Sequence, residues 1–207
     1  MKMSFNIHEA SSTYQVTSDD LIPLAGFYGL NQLIPGRFSW LFVLNLMLLK
    51  KQSGIDPSSI IDEIRFLEGI GPSQQTKPES QLTGSCLKGL WHKHFLANNI
   101  SVFAKNIANQ LSGRKLENLV NQVFDPSKNA VETEEMIGEL SHRIVVESLE
   151  TRAIQGKLTG EWIIFAKEGG QNYYLCVTTH ESGDENIANS IKAACLPQFP
   201  FLAAYVS

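Results

Sequence analysis

The chain has 207 residues, 43% of them hydrophobic and 18% charged, with a formal net charge of −4 and a pI of about 5.7. That is enough chain to bury one large core or two small ones, too apolar for long disorder, and too acidic overall for a dedicated nucleic-acid binder. Three cysteines without a CxxC spacing exclude a disulfide scaffold, a zinc ribbon and a thioredoxin-type motif, and they point to a reducing, cytoplasmic compartment.

Residues 1–17 are polar and mixed, carry no charged-then-apolar leader, and alternate over Thr13–Thr17, which predicts an arm or an edge strand. Ser18-Asp19-Asp20 reads as a helix start: an N-cap oxygen, then acids suited to the positive end of the dipole. Gly26 and Gly29 weaken a helix running to Leu33, and Pro35-Gly36 ends it. Phe38–Leu49 (FSWLFVLNLMLL) has only Ser39 and Asn45 as polar residues. It is too short for the roughly 20 apolar residues of a membrane span. It predicts a helix apolar all round, buried in the core or in an interface with a protein partner or a second copy. Asp56-Pro57-Ser58 opens the next helix, with Ile60, Ile61, Ile64, Phe66 and Leu67 apolar and Gly69 as the stop.

Residues 69–85 are rich in Gly, Pro, Ser, Thr and Gln. They read as a linker between a helical unit, 1–68, and a second unit, 86–207, or as a loop packed on a single domain 1–207. Gln81–Phe95 (QLTGSCLKGLWHKHF) then concentrates a cysteine, two lysines, a tryptophan and two histidines. It opens a basic run: no acidic residue lies between Glu79 and Glu117, where Lys88, Lys93, Lys105, Arg114 and Lys115 fall. Leu87–Asn98 predicts a helix with Leu87, Leu90, Trp91 and His94 on one face and Lys88 and His92 on another, although Gly89 costs it stability. Amphipathic helices follow over Ile100–Leu111 and Arg114–Phe124. Glu132–Arg152 predicts a long acidic helix with Ile137, Leu140, Ile144 and Leu149 inward.

The C-terminal third changes period. Glu161–Lys167 and Asn172–His180 are strand-like, and Gly169-Gly170 suits a two-residue hairpin turn. That register predicts the pairs Phe165–Tyr174, Ile163–Cys176 and Glu161–Thr178, with Thr159 opposite His180, so that Glu161, Thr178 and His180 cluster on one face. Ser182–Glu185 reads as a capping box for a helix burying Ile187, Ile191, Ala194 and Cys195, and Phe201–Val206 as a last short strand. The expected fold class is α+β: helical through the first two-thirds, then an antiparallel β-hairpin, a helix and a final short strand.

Three chemistries compete with the plain reading of a satisfied core and a solvated surface. Gln81 with Gly84-Ser85-Cys86 resembles the surround of a papain-type cysteine, without the aromatic that follows it there; a thiol hydrolase would pair Cys86, at a helix start, with His180. A metal site from His92, His94, His180 and Asp184 needs His-x-His on a strand, where both rings point one way. On the predicted helix they diverge, so no metal is expected. The third is metal-independent, ribonuclease-like phosphodiester cleavage, with His94 and His180 as acid–base pair, Lys93 and Glu161 assisting, and Lys88, Trp91, His92, Tyr174 and Thr178 holding RNA. Small toxin-type ribonucleases are similar in architecture and residue types, without a shared motif. The alternative class is a non-catalytic regulatory or interaction protein. GxxxxGK[ST], GxGxxG and GxSxG do not occur, so no cofactor is expected.

Overall fold

The computed structural model describes residues 2–9, 12–72, 76–96, 107–108, 110–124, 134–148, 161–178 and 182–206. It is an α+β structure built on a four-stranded antiparallel sheet. The chain opens with a hairpin, β1 (Ser4–Glu9) and β2 (Ser12–Thr17), in which Ile7 and Val16 face the core. Helix α1 (Ser18–Phe27) is capped one residue earlier than the sequence suggests: the Asp20 carboxylate accepts from the Thr17 N–H at 2.8 Å and from its hydroxyl at 2.6 Å. Gly29, at φ +67°, separates α1 from the short α2 (Leu30–Leu33), so the single helix expected there is two. Helices α3 (Trp40–Ser53) and α4 (Ser58–Leu67) follow.

The sheet order is β3 (Ser80–Gln81), β4 (Trp91–Phe95), β5 (Glu161–Glu168), β6 (Gln171–Thr178). β4 and β5 are antiparallel neighbours although residues 96–160 lie between them. That connection carries α5 (Lys115–Val123) and α6 (Glu134–His142), which runs into a π-helical turn over Arg143–Glu147. In α6 it is Met136 that is buried, while Ile137, expected inward, is 55% exposed. After β6 come α7 (Asp184–Ala194) and a 3-10 turn, Pro200–Ala204. Among the described residues no helix is long and apolar enough to cross a membrane.

Three further expectations are corrected. Trp91–Phe95, read as part of a helix, is strand β4, because its alternation pairs with β5 residue by residue from Trp91↔Phe165 to Phe95↔Glu161. Gly89 sits in the preceding turn at φ +94°, where a Cβ would come within 3.0 Å of the Tyr205 ring; its chain direction is incompatible with a helix. The hairpin register is correct at Phe165↔Tyr174 and slips by one beyond it. A β-bulge at Leu175 gives Ile164↔Cys176, Ile163↔Val177 and Trp162↔Thr178, so Glu161 and Thr178 fall on opposite faces. Helix α7 starts from Gly183 without a side-chain cap, so Ser182–Glu185 is not a capping box.

The sheet lies between two apolar layers. Ile163, Phe165, Tyr174, Val177 and Phe95 pack against α1, α3, α4 and the N-terminal hairpin, so segments 1–68 and 86–207 share one cluster. Ile164, Ala166, Leu175 and Cys176 pack against α7 and the C-terminal segment.

Helix α3 runs along the outer edge of β6. The Tyr174 N–H donates to the Arg37 carbonyl at 2.8 Å, and the Ser39 N–H donates to the Tyr174 carbonyl at 2.9 Å. The Ser39 hydroxyl donates to the Leu175 carbonyl while accepting the Phe42 N–H at 2.9 Å, and Asn45 Oδ1 accepts the Val177 N–H at 3.1 Å. The two polar residues of the apolar run thus serve a strand edge that would otherwise be a buried row of unpaired groups. Phe42, Val43, Leu44 and Leu46 are buried inside the chain, which accounts for the composition of Phe38–Leu49 without a second copy. Phe201–Val206 does not form the expected strand; Pro200–Ala204 is a 3-10 turn led by Pro200. Ser39→Ala removes an N-cap and leaves the buried Leu175 carbonyl with only the weak Cys195 thiol donor at 3.5 Å, and is expected to cost about 1–3 kcal/mol in denaturant unfolding. A loss under about 0.5 kcal/mol would show that the edge bond carries no stability.

Candidate functional site

His92 and His94 alternate with Lys93 on a strand, so both rings face the α7 side and Lys93 faces the other. The two imidazole centroids are 5.3 Å apart. Trp162, opposite His94 on β5, completes the cluster at 4.9 Å from the His92 ring and 6.2 Å from the His94 ring. His94 is 4% exposed; His92 and Trp162 are half-buried. Thr178, buried, pairs with Trp162 across the next strand, which extends the row to the sheet edge. His180 lies outside the described residues. Glu161 is buried on the opposite face, opposite Phe95. Among the described residues, no group of three or more His, Cys, Asp or Glu side chains could hold a metal ion.

The remaining residues singled out in the sequence go elsewhere. Lys93 is fully buried between β4 and α4. Its Nζ lies 3.3 Å from Glu63 and donates to Thr76 Oγ1 at 2.6 Å and to the Lys77 carbonyl at 2.8 Å. Thr76 Oγ1 is in turn 2.9 Å from both Glu63 and the His94 carbonyl, one of which takes its single proton. Burial pushes the Lys93 ammonium below its ordinary value, and Glu63 opposes that shift. Lys93 is therefore a structural cation on the wrong face to assist His94, not a partner in its chemistry.

Tyr174 is equally committed: it is fully buried, and its hydroxyl donates to Glu68 at 2.8 Å. It cannot stack a base. Burial, reinforced by Glu68, raises its phenol above the ordinary range. Arg37 grips the Glu68 carboxylate with both terminal nitrogens, and Asn172 donates to it at 3.2 Å. Burial is the largest single influence on Glu68 and would raise it; the bonds from Arg37, Tyr174 and Asn172 together outweigh that and hold it below its ordinary value. Trp91 shares this face, stacked on Phe165 at 6.5 Å, with Lys167 Nζ 4.0 Å from the centre of its ring.

Cys86 is exposed in the turn before β4 rather than at the helix start expected for it. Ser85 and Lys88 are exposed in the same turn. Glu63, Thr76 and Glu68 were not singled out from sequence, and Asn45 was noted only as a polar exception in an apolar run. Glu63 and Asn45 carried a usable signal, being polar positions within otherwise apolar helix faces.

A cavity of about 330 Å³ opens between α3, the end of β6 and α7, and Thr178 lies in its wall. In comparisons with protein-family models, with curated proteins and with solved structures, nothing matched the chain.

The buried ion pair makes a specific energetic claim. Lys93→Met leaves Glu63 buried without its cation and should destabilise by about 3–5 kcal/mol, whereas Lys93→Met with Glu63→Leu should recover most of that loss. Equal destabilisation of the single and double variants, measured by denaturant unfolding, would refute the pairing.

Proposed function

We propose that this protein cleaves phosphodiester bonds in RNA without a metal, with His92 and His94 as the proton-transferring pair. The observation that carries this reading is the strand placement of His-x-His, which puts two imidazoles 5.3 Å apart on one face beside Trp162. One ring removes the proton from a ribose 2′-hydroxyl as the O2′–P bond forms. The other delivers its proton to the 5′-oxygen as the P–O5′ bond breaks, leaving a 2′,3′-cyclic phosphate and a free 5′-hydroxyl. Trp162 supplies an aromatic surface next to the phosphate for a base. Lys88, exposed in the turn leading to β4, supplies long-range phosphate attraction. Thr178, paired with Trp162, lines the substrate path toward the sheet edge. Relative to the residues first considered, Lys93, Glu161, Trp91 and Tyr174 have no part in this mechanism.

The test is incubation with single-stranded RNA in EDTA. Cyclic-phosphate ends should accumulate with a bell-shaped pH dependence, and His92→Ala and His94→Ala should each lower the rate by roughly a hundredfold or more. No cleavage by the wild type, or unchanged rates in both variants, rules the reading out.

A second reading, a non-catalytic interaction protein, draws on a different observation. Ile22, Phe27 and Ile70 are 51%, 76% and 64% exposed, and Ile70 borders a depression reaching Gly26 and Leu33. Self-association then runs through this patch rather than through Phe38–Leu49. It predicts a mass that rises with concentration in sedimentation and reverts to the monomer in Phe27→Asp. A wild type that stays monomeric throughout excludes it.

A further inference from the structure

The end of α1 sets an aromatic projection beside a hollow. Phe27, the last residue of the helix, is 76% exposed. Its ring packs edge-on against Tyr28 at 5.1 Å, a contact that restricts the ring before any partner arrives. Tyr28 in turn lines a depression of about 490 Å³, together with Gly26, Gly29, Leu33, Arg65 and Ile70. These wall residues all belong to the unbroken described stretch 12–72. The hollow is open because Gly26 has no side chain: a Cβ built there meets no heavy atom within 4 Å. A cavity of about 150 Å³ is enough to hold a benzene ring, so the depression has room for a phenylalanine side chain.

Charge and area narrow the occupant. Arg65 brings its own counter-ion, Asp62, at 3.1 Å. The pair offers a charged partner no net attraction, whereas two copies of the face meet there with both signs available on each side. Ile22, one turn before Gly26 on the same stripe of α1, adds apolar surface, as does Ile70 in the wall. With Phe27 they expose on the order of 350 Å². A face of that size belongs to the weak, reversible end of the interface range, below about 1,200 Å² in total.

We propose that two copies of the chain dock through this face about a twofold axis, with Phe27 of each seated in the depression of the other. A foreign partner accounts for the projection or for the hollow. A second copy accounts for both, because a twofold interface needs a surface that complements itself. Reciprocal seating also closes the assembly at the dimer. The proposal rests on the interaction reading above and adds to it the pairing and the stopping point.

Sedimentation of the full chain over a range of concentrations tests it. The wild type should approach a dimer and nothing larger, with a Kd between about 10 μM and 1 mM. Phe27→Ala removes the projection. Gly26→Gln fills the hollow from a helical position where a side chain has open space and improves helix propensity. Each should weaken dimerisation about tenfold or more. The mixture is decisive, because Phe27→Ala keeps the hollow and Gly26→Gln keeps the projection. Isotope-labelled Gly26→Gln should show saturable NMR shifts with unlabelled Phe27→Ala that unlabelled Gly26→Gln does not produce. A wild type monomeric throughout overturns the proposal together with the interaction reading. Self-association that is unchanged in Gly26→Gln, that grows past the dimer, or that the mixture does not restore overturns the reciprocal seating and leaves the interaction reading standing.

Discussion

Strand β6 is paired with β5 on one side and would present bare peptide groups on the other. Those groups are met by the Arg37 carbonyl, the Ser39 N–H and hydroxyl, and the Asn45 amide, supplied by the first half of α3 and the residues leading into it. The apolar helix is thereby held against the sheet edge as well as over its core. Gln198, near the C-terminus, also caps the start of α3 by accepting the Trp40 N–H at 2.9 Å. Three distant parts of the chain therefore meet where one strand edge needs partners. The lower part of this junction, around Asn45 and Val177, becomes the wall of the cavity.

The two buried polar clusters play a different role. Lys93 with Glu63 and Thr76, and Arg37 with Glu68, Asn172 and Tyr174, both tie α4 and the residues around it to the sheet. Their geometry is directional, so they fix how α4 sits in a way that apolar contacts alone do not. They also absorb side chains that resemble catalytic groups on paper. A lysine between two histidines invites a shared mechanism, but a strand sends alternate residues to opposite faces, and the lysine is spent on the core.

The class of the fold was legible from period and turn chemistry. Gly169-Gly170 at positive φ closes the hairpin as its dipeptide suggests, and the Ile187/Ile191 face of α7 packs as its spacing requires. What was not legible depended on partners distant in sequence. Five residues, WHKHF, are too few to distinguish a helix from a strand by period. Only pairing with β5 decides it. The bulge at Leu175 is likewise invisible in the strand's composition, yet it moves every residue beyond it to the other face and separates Glu161 from Thr178. The histidine pair was visible as residues. Its geometry was not, because it follows from the strand assignment.

The antiparallel pairing of β4 with β5 requires residues 96–160 to leave the sheet and return to it at the same end. The entropy of closing such a loop grows only with the logarithm of its length, so exchanging a four-residue turn for this excursion costs on the order of 2–3 kcal/mol. The sheet therefore does not depend on the excursion's length for its register, which is set by the strands on either side. Timing is another matter. During synthesis β4 emerges well before its central partner, and its buried lysine and phenylalanine must await β5 before their side of the sheet can close. The order of assembly is thus written into the position of an insertion, while the final register is not.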